Sequence, residues 1–159
     1  MISKAEQAKA NLDNAIAAVR RAQDGVASLK ATRKALAAYD AFAVASEAAA
    51  PFYISARRSD FAVLAASARS ISDRIVALGR VSKPWLLASR ARKDAYQTLA
   101  DNATEAQAQV AQLVELERRA SSATNLRIVS AALSRASRIK AKLSNLLINS
   151  NAAYSTYNQ

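Results

Sequence analysis

The stretch Phe61-Ala62-Val63-Leu64-Ala65-Ala66-Ser67-Ala68-Arg69-Ser70-Ile71-Ser72-Asp73-Arg74-Ile75-Val76-Ala77-Leu78 decides the fold. Its apolar residues Phe61, Leu64, Ala68, Ile71, Ile75 and Leu78 recur at alternating spacings of three and four. On an α-helix those positions share one side as a narrow seam, whereas on a strand they would scatter over both faces. A seam of this kind buries itself only against another helix.

The same spacing returns on either side. Gly79 predicts a left-handed C-terminal position for this helix, and Gly79 to Pro84 predicts a turn. Pro84 then suits the first turn of a further helix carrying Trp85, Leu86, Tyr96 and Leu99, with Trp85 as an anchor of the helix hairpin. Asp101-Asn102 with Glu105 predicts a bend, and Ala103, Ala106, Val110 and Leu113 continue the seam to about Arg119. The cap formers Ser121 to Asn125 predict a turn, and Leu126, Val129, Leu133, Ala136, Leu143 and Leu147 predict the last helix. Residues 149–159 carry no charge and no periodicity, which predicts a polar tail, flexible or ordered by a partner. Toward the N-terminus, Pro51 predicts a boundary, because the residue before proline is pushed away from helical geometry. Ser3 with Glu6 is a capping box, opening a segment whose apolar positions are Leu12, Ile16, Val19, Val26, Leu29, Leu36 and Tyr39. Asp24-Gly25 marks either a kink in one long helix or the end of a first short one, and the kink is favoured because the pattern resumes.

Among 159 residues there are 40 Ala but only 2 Gly and 2 Pro, too few turn formers for a sheet protein. The expected fold is all-α: an elongated antiparallel bundle of four to five long Ala-rich amphipathic helices with coiled-coil-like packing. It forms a single helical domain over residues 1–148, followed by the tail at 149–159. Alanine seams let helix axes approach closely, yet each Ala buries far less apolar area than a Leu. Either the bundle stands alone, or neighbouring copies complete its seams.

The absence of Cys and His excludes disulfides, thiolate nucleophiles, imidazole bases and Cys/His metal sites. The only two glycines lie 54 residues apart, so no phosphate-cradling loop exists, and the nearest acid pair, Glu115 and Glu117, points to different sides of a helix. No enzymatic activity, cofactor, metal or small-molecule substrate is expected. No apolar run follows the first positive charge and none reaches the ~20 residues of a membrane span, so neither a secretion signal nor a span is expected.

Charge is the remaining signal. Lys and Arg outnumber Asp and Glu by 23 to 12, for a net +11. After Glu117 no acid occurs, and Arg127, Arg135, Arg138 and Lys142 fall within an arc of about 80° on the last helix, opposite its seam. With Arg118 and Arg119 they form a candidate polyanion-binding stripe; a solvated face that keeps the protein soluble is its other reading. Arg80, Lys83, Arg90, Arg92 and Lys93 form a secondary basic patch with no acid between Asp73 and Asp94. Lys140 points into the apolar arc and must snorkel or find an acid such as Glu115 or Glu117. The nine aromatic residues do not interleave with cations as a single-strand stacking platform would, and no base-reading motif is present. Contact with DNA or RNA is therefore expected through phosphates alone.

In general character, a basic Ala-, Ser- and Gln-rich helical chain with a polar end, the sequence resembles small structural components of viral particles, such as internal or head-tail proteins of tailed phages. The resemblance implies a non-enzymatic, multi-copy assembly protein. Its partners would be other protein subunits, self or assembly partners, and its basic faces would meet nucleic acid or acidic partners. Its place would be the cytoplasm or a virion. The alternatives are a stand-alone, non-sequence-specific nucleic-acid-binding protein and a helical adaptor docking an acidic protein surface.

Overall fold

A computed structural model describes residues 2–159, 88% of them helical, in four helices with no strand among the described residues. Helix α1 spans Ile2–Arg21, α2 Gly25–Leu78, α3 Arg90–Ser122 and α4 Leu126–Tyr157. The chain divides into two compact units, the first reaching to Ala56 and the second covering Arg57–Gln159, with α2 running through both.

Several expected boundaries move. Asp24-Gly25 separates two helices instead of kinking one. Asp24 gives α2 its own start, its Oδ1 accepting the Ala27 N–H at 2.6 Å and satisfying a donor that the first turn leaves free. Pro51 lies inside α2 and does not end it. Proline's φ near about −65° is itself helical, and the disturbance is confined to one missing hydrogen bond and the carbonyl four residues back. Ala48, Ala49 and Ala50, of the residue type with the highest helix propensity, carry the helix up to it. The predicted bend at Asn102 is absent, since α3 passes through it, and the helices number four among the described residues.

Gly79 has no left-handed backbone. A glycine stands there because α2 ends hard against α3: a Cβ would lie 2.8 Å from Ala103 Cβ and 3.1 Å from the Leu99 carbonyl oxygen. Nor does Pro84 start a helix. Residues 80–89 form a loop containing a turn closed by the Ala88 N–H on Trp85 O at 3.0 Å. Helix α3 waits until Arg90, where the Ser89 hydroxyl accepts the Arg92 N–H at 3.2 Å, a cap that proline cannot supply. Trp85 is thus no hairpin anchor. The turn after Ser122 falls where expected, with Asn125 Oδ1 accepting the Arg127 N–H at 2.7 Å.

The expected polar tail is the end of α4. Its residues are held by tertiary contacts that the absence of periodicity hides. Ser150 is fully buried and accepts a hydrogen bond from Asn102 Nδ2 at 3.1 Å. The buried Tyr157 donates its hydroxyl to Ser82 O at 2.7 Å.

The core of the second unit follows the seams. Phe61, Ala65, Ala68 and Ile75 of α2 meet Ala106, Leu113, Leu116 and Ala120 of α3, and Ala132, Ala136, Ile139 and Leu143 of α4. Small and large residues alternate, so alanines admit the larger side chains of facing helices. Arg58 closes the far end of α3, donating to the Ala120 and Ala123 carbonyls at 3.1 and 2.7 Å. The first is a carbonyl that the last turn of a helix leaves without a partner, and the second belongs to the extended residue that caps it.

The first unit is different. Helix α1 and the first part of α2 run as an antiparallel pair, with Leu12, Ile16 and Val19 beside Ala35, Leu36 and Tyr39 along one open apolar groove. Ala5, Ala49 and Ile54 are its buried apolar residues, while Val26 is 80% exposed, Leu29 65% and Leu36 60%. Two helices have only one shared face, and the rest of this seam stays in water.

Candidate polyanion-binding groove

Helices α3 and α4 pack against each other, and an open groove of about 740 Å³ runs between them. Gln109, Gln112, Glu115 and Arg119 line it from α3, and Arg135, Arg138 and Lys142 from α4. A smaller continuation of about 250 Å³ shares Leu116, Arg119 and Arg135 and adds Arg127 and Ile128. Arg135, Arg138 and Lys142 of the α4 stripe thus line the groove, and Arg127 lines its continuation. From Arg127 to Lys142 they extend over about 22 Å at 1.5 Å per residue.

Acids modify this picture. Glu115 accepts a bidentate pair of hydrogen bonds from Arg118 Nε and Nη2, both 2.9 Å, and a third from Arg119 Nε at 2.8 Å. Those bonds, first from Arg118 and then from Arg119, hold the Glu115 carboxyl down at about 2, and Glu115 in turn raises Arg118. Arg118 does not line the groove. Lys142 pairs with Glu105, whose carboxyl is lowered by the Lys142 hydrogen bond and then by that of Gln109. Arg127, Arg135 and Arg138 have no ion-pair partner among the described residues, and all three are exposed. Of the six predicted stripe residues, three are thus free, two share Glu115, and one shares Glu105. The Glu115 pairings sit at helix spacings of three and four and are legible in the sequence; the Glu105–Lys142 pairing spans 37 residues and is not.

Lys140 is half-buried and pairs with neither predicted acid, since Glu115 is occupied and Glu117 pairs with Arg69. Of the secondary patch, Arg80 and Lys83 lie in the loop, and Arg90, Arg92 and Lys93 in the first turn of α3. Arg92 lies over the Tyr157 ring at 4.7 Å, and Lys93 Nζ donates to Leu86 O at 2.6 Å. Three cations in a helix's first turn oppose its dipole.

No group of Asp and Glu that could hold a metal ion occurs among the described residues, and no helix among them is long and apolar enough to cross a membrane. Compared with known protein families, curated proteins and solved structures, the chain matches none.

Proposed function

We propose that the chain is a non-enzymatic assembly protein, working in many copies within a larger particle such as a virion. The observation that carries this reading is the first unit's unfilled apolar seam. Exposed Val26, Leu29, Leu36 and Tyr39 recur on a helix pair too small to bury them. A second copy fits by charge as well. Residues 20–34, around the tip of the pair, hold Arg20, Arg21, Lys30, Arg33 and Lys34 against Asp24, while residues 35–56 hold Asp40 and Glu47 and no cation. Pairing two copies end over end brings each basic tip to the other's acidic stretch, a self-complementary two-fold contact.

Light scattering across a concentration series tests this. The wild-type chain is expected to associate, and Leu29→Asp with Leu36→Asp should leave a monomer of unchanged helicity. A wild-type chain that stays monomeric at every concentration refutes the assembly reading.

A second reading rests on the α3/α4 groove: non-specific binding to the phosphates of DNA or RNA. Three arginines without carboxylate partners, on a chain of net charge +11, support it. It is compatible with assembly around nucleic acid, and it makes binding steeply dependent on salt.

A further inference from the structure

The loop between α2 and α3 ends in a feature that neither the seam nor the groove uses. Trp85, Leu86 and Leu87 follow one another on its turn, 85%, 93% and 94% exposed. Three consecutive large apolar side chains, all outside, are costly in water, and no neighbouring element covers them. The turn is nevertheless braced. The Ala88 N–H closes on Trp85 O, Lys93 Nζ holds Leu86 O, and the half-buried Pro84 and Ala88 flank the tip. Around it along the chain stand Arg80, Lys83, Arg90, Arg92 and Lys93, with Asp94 the first acid and its carboxylate 3.8 Å from Arg90.

We propose that this tip is an anchor for an anionic lipid surface, with Trp85, Leu86 and Leu87 entering the boundary between headgroups and acyl chains and the cations beside it in the chain, Arg80, Lys83 and Arg90 foremost, meeting the phosphates and carboxylates there. The shape favours lipid. A convex apolar tip needs a soft medium that closes around it, whereas a protein partner needs a preformed pocket. The composition favours it too, because tryptophan settles at the membrane interface and Lys or Arg beside the insertion point gains from a negative leaflet. This surface contact is distinct from a membrane span. It rests neither on the assembly reading nor on the α3/α4 groove.

Trp85 is the only tryptophan of the chain, so its emission reports this loop alone. The full-length protein is mixed with vesicles of phosphatidylcholine, or of phosphatidylcholine with phosphatidylserine, at low and high salt. The expected result is a blue shift and protection from a soluble quencher with the phosphatidylserine vesicles at low salt, and neither with phosphatidylcholine alone. Leu86→Ser with Leu87→Ser keeps every charge and touches only exposed side chains; it should weaken vesicle partition by about tenfold or more with helicity unchanged. Arg135→Gln with Arg138→Gln should leave the Trp85 shift intact. Unchanged Trp85 emission with phosphatidylserine vesicles overturns the proposal. So does a blue shift that grows with protein concentration without lipid, which assigns the tip to another copy. Vesicle binding that survives the Leu variants and is lost with the Arg variants also overturns it, because binding then runs through the groove without insertion.

Discussion

Replacing Arg135 and Arg138 together with glutamine separates phosphate binding from mere solubility. Each phosphate neutralised on duplex DNA releases condensed counterions, so log affinity falls with log salt by about 0.9 per contact. Arg127, Arg135 and Arg138 are the groove's cations without an acid partner among the described residues, and Lys142 joins them only by giving up Glu105. Three contacts give a slope of about −2.7, and the double variant, with one left, about −0.9. Between about 50 and about 200 mM salt the wild-type affinity should fall by about 40-fold and that of the variant by about 3- to 4-fold. Fluorescence anisotropy on two labelled duplexes of unrelated sequence measures both slopes. The loss should be the same for both duplexes, since phosphate contacts carry no sequence information. Both side chains are exposed, so helicity should not change. A slope that the double change leaves untouched would falsify the phosphate reading and return the stripe to the solvated face. A strong preference for one duplex would instead reveal a base-reading element.

The two glycines should respond oppositely. A Cβ at Gly25 meets nothing within 4 Å, so Gly25→Ala should raise stability by about 0.4–1 kcal/mol through the unfolded chain; Gly79→Ala should lower it by about 1–3 kcal/mol, because α2 and α3 have to part. Urea unfolding of the two variants compares them directly. Arg58→Met keeps the apolar stem but leaves the Ala120 and Ala123 carbonyls without their donor, which should cost about 2 kcal/mol by the same assay. Glu115 takes up its proton near 4.5 when unfolded and only near about 2 when folded. The unfolded state therefore binds more protons between those values, so stability falls as pH is lowered through that window. Glu115→Gln should flatten that part of the pH dependence, and a curve identical to wild type there would show that the carboxylate is not held by its arginines. Freed of Glu115, Arg118 and Arg119 should also bind duplex DNA more tightly.

What the sequence made legible was what repeats locally. Phe61, Ala68, Ile75, Val129, Ala136 and Leu143 are all buried, as their three-and-four spacing predicted, because each seam needs only the helical period to be recognised. The arc of Arg127, Arg135, Arg138 and Lys142 was legible for the same reason. Misreadings gathered where distant residues decide. Pro51 is a breaker by local rules, yet it is carried through by the helix around it. Pro84 and Ser89 both offer a helix start, and local chemistry did not rank them. The end of α4 looked like a tail because Asn102 and Ser82, its hydrogen-bond partners, are 48 and 75 residues away. Glu105 reaches Lys142 only once α3 and α4 are in register, so the number of free cations in the groove could not be counted from sequence.

The bond from Tyr157 to Ser82 also bears on the order of folding. During synthesis the α2–α3 loop emerges 75 residues before the side chain that clasps it, so Trp85, Leu86 and Leu87 leave the ribosome on an unfastened segment. By loop entropy the α3–α4 hairpin, with its short connection, is expected to close before the clasp with its long separation. Whatever needs this loop fastened to α4 meets it in that form only after the whole of α4 has been made.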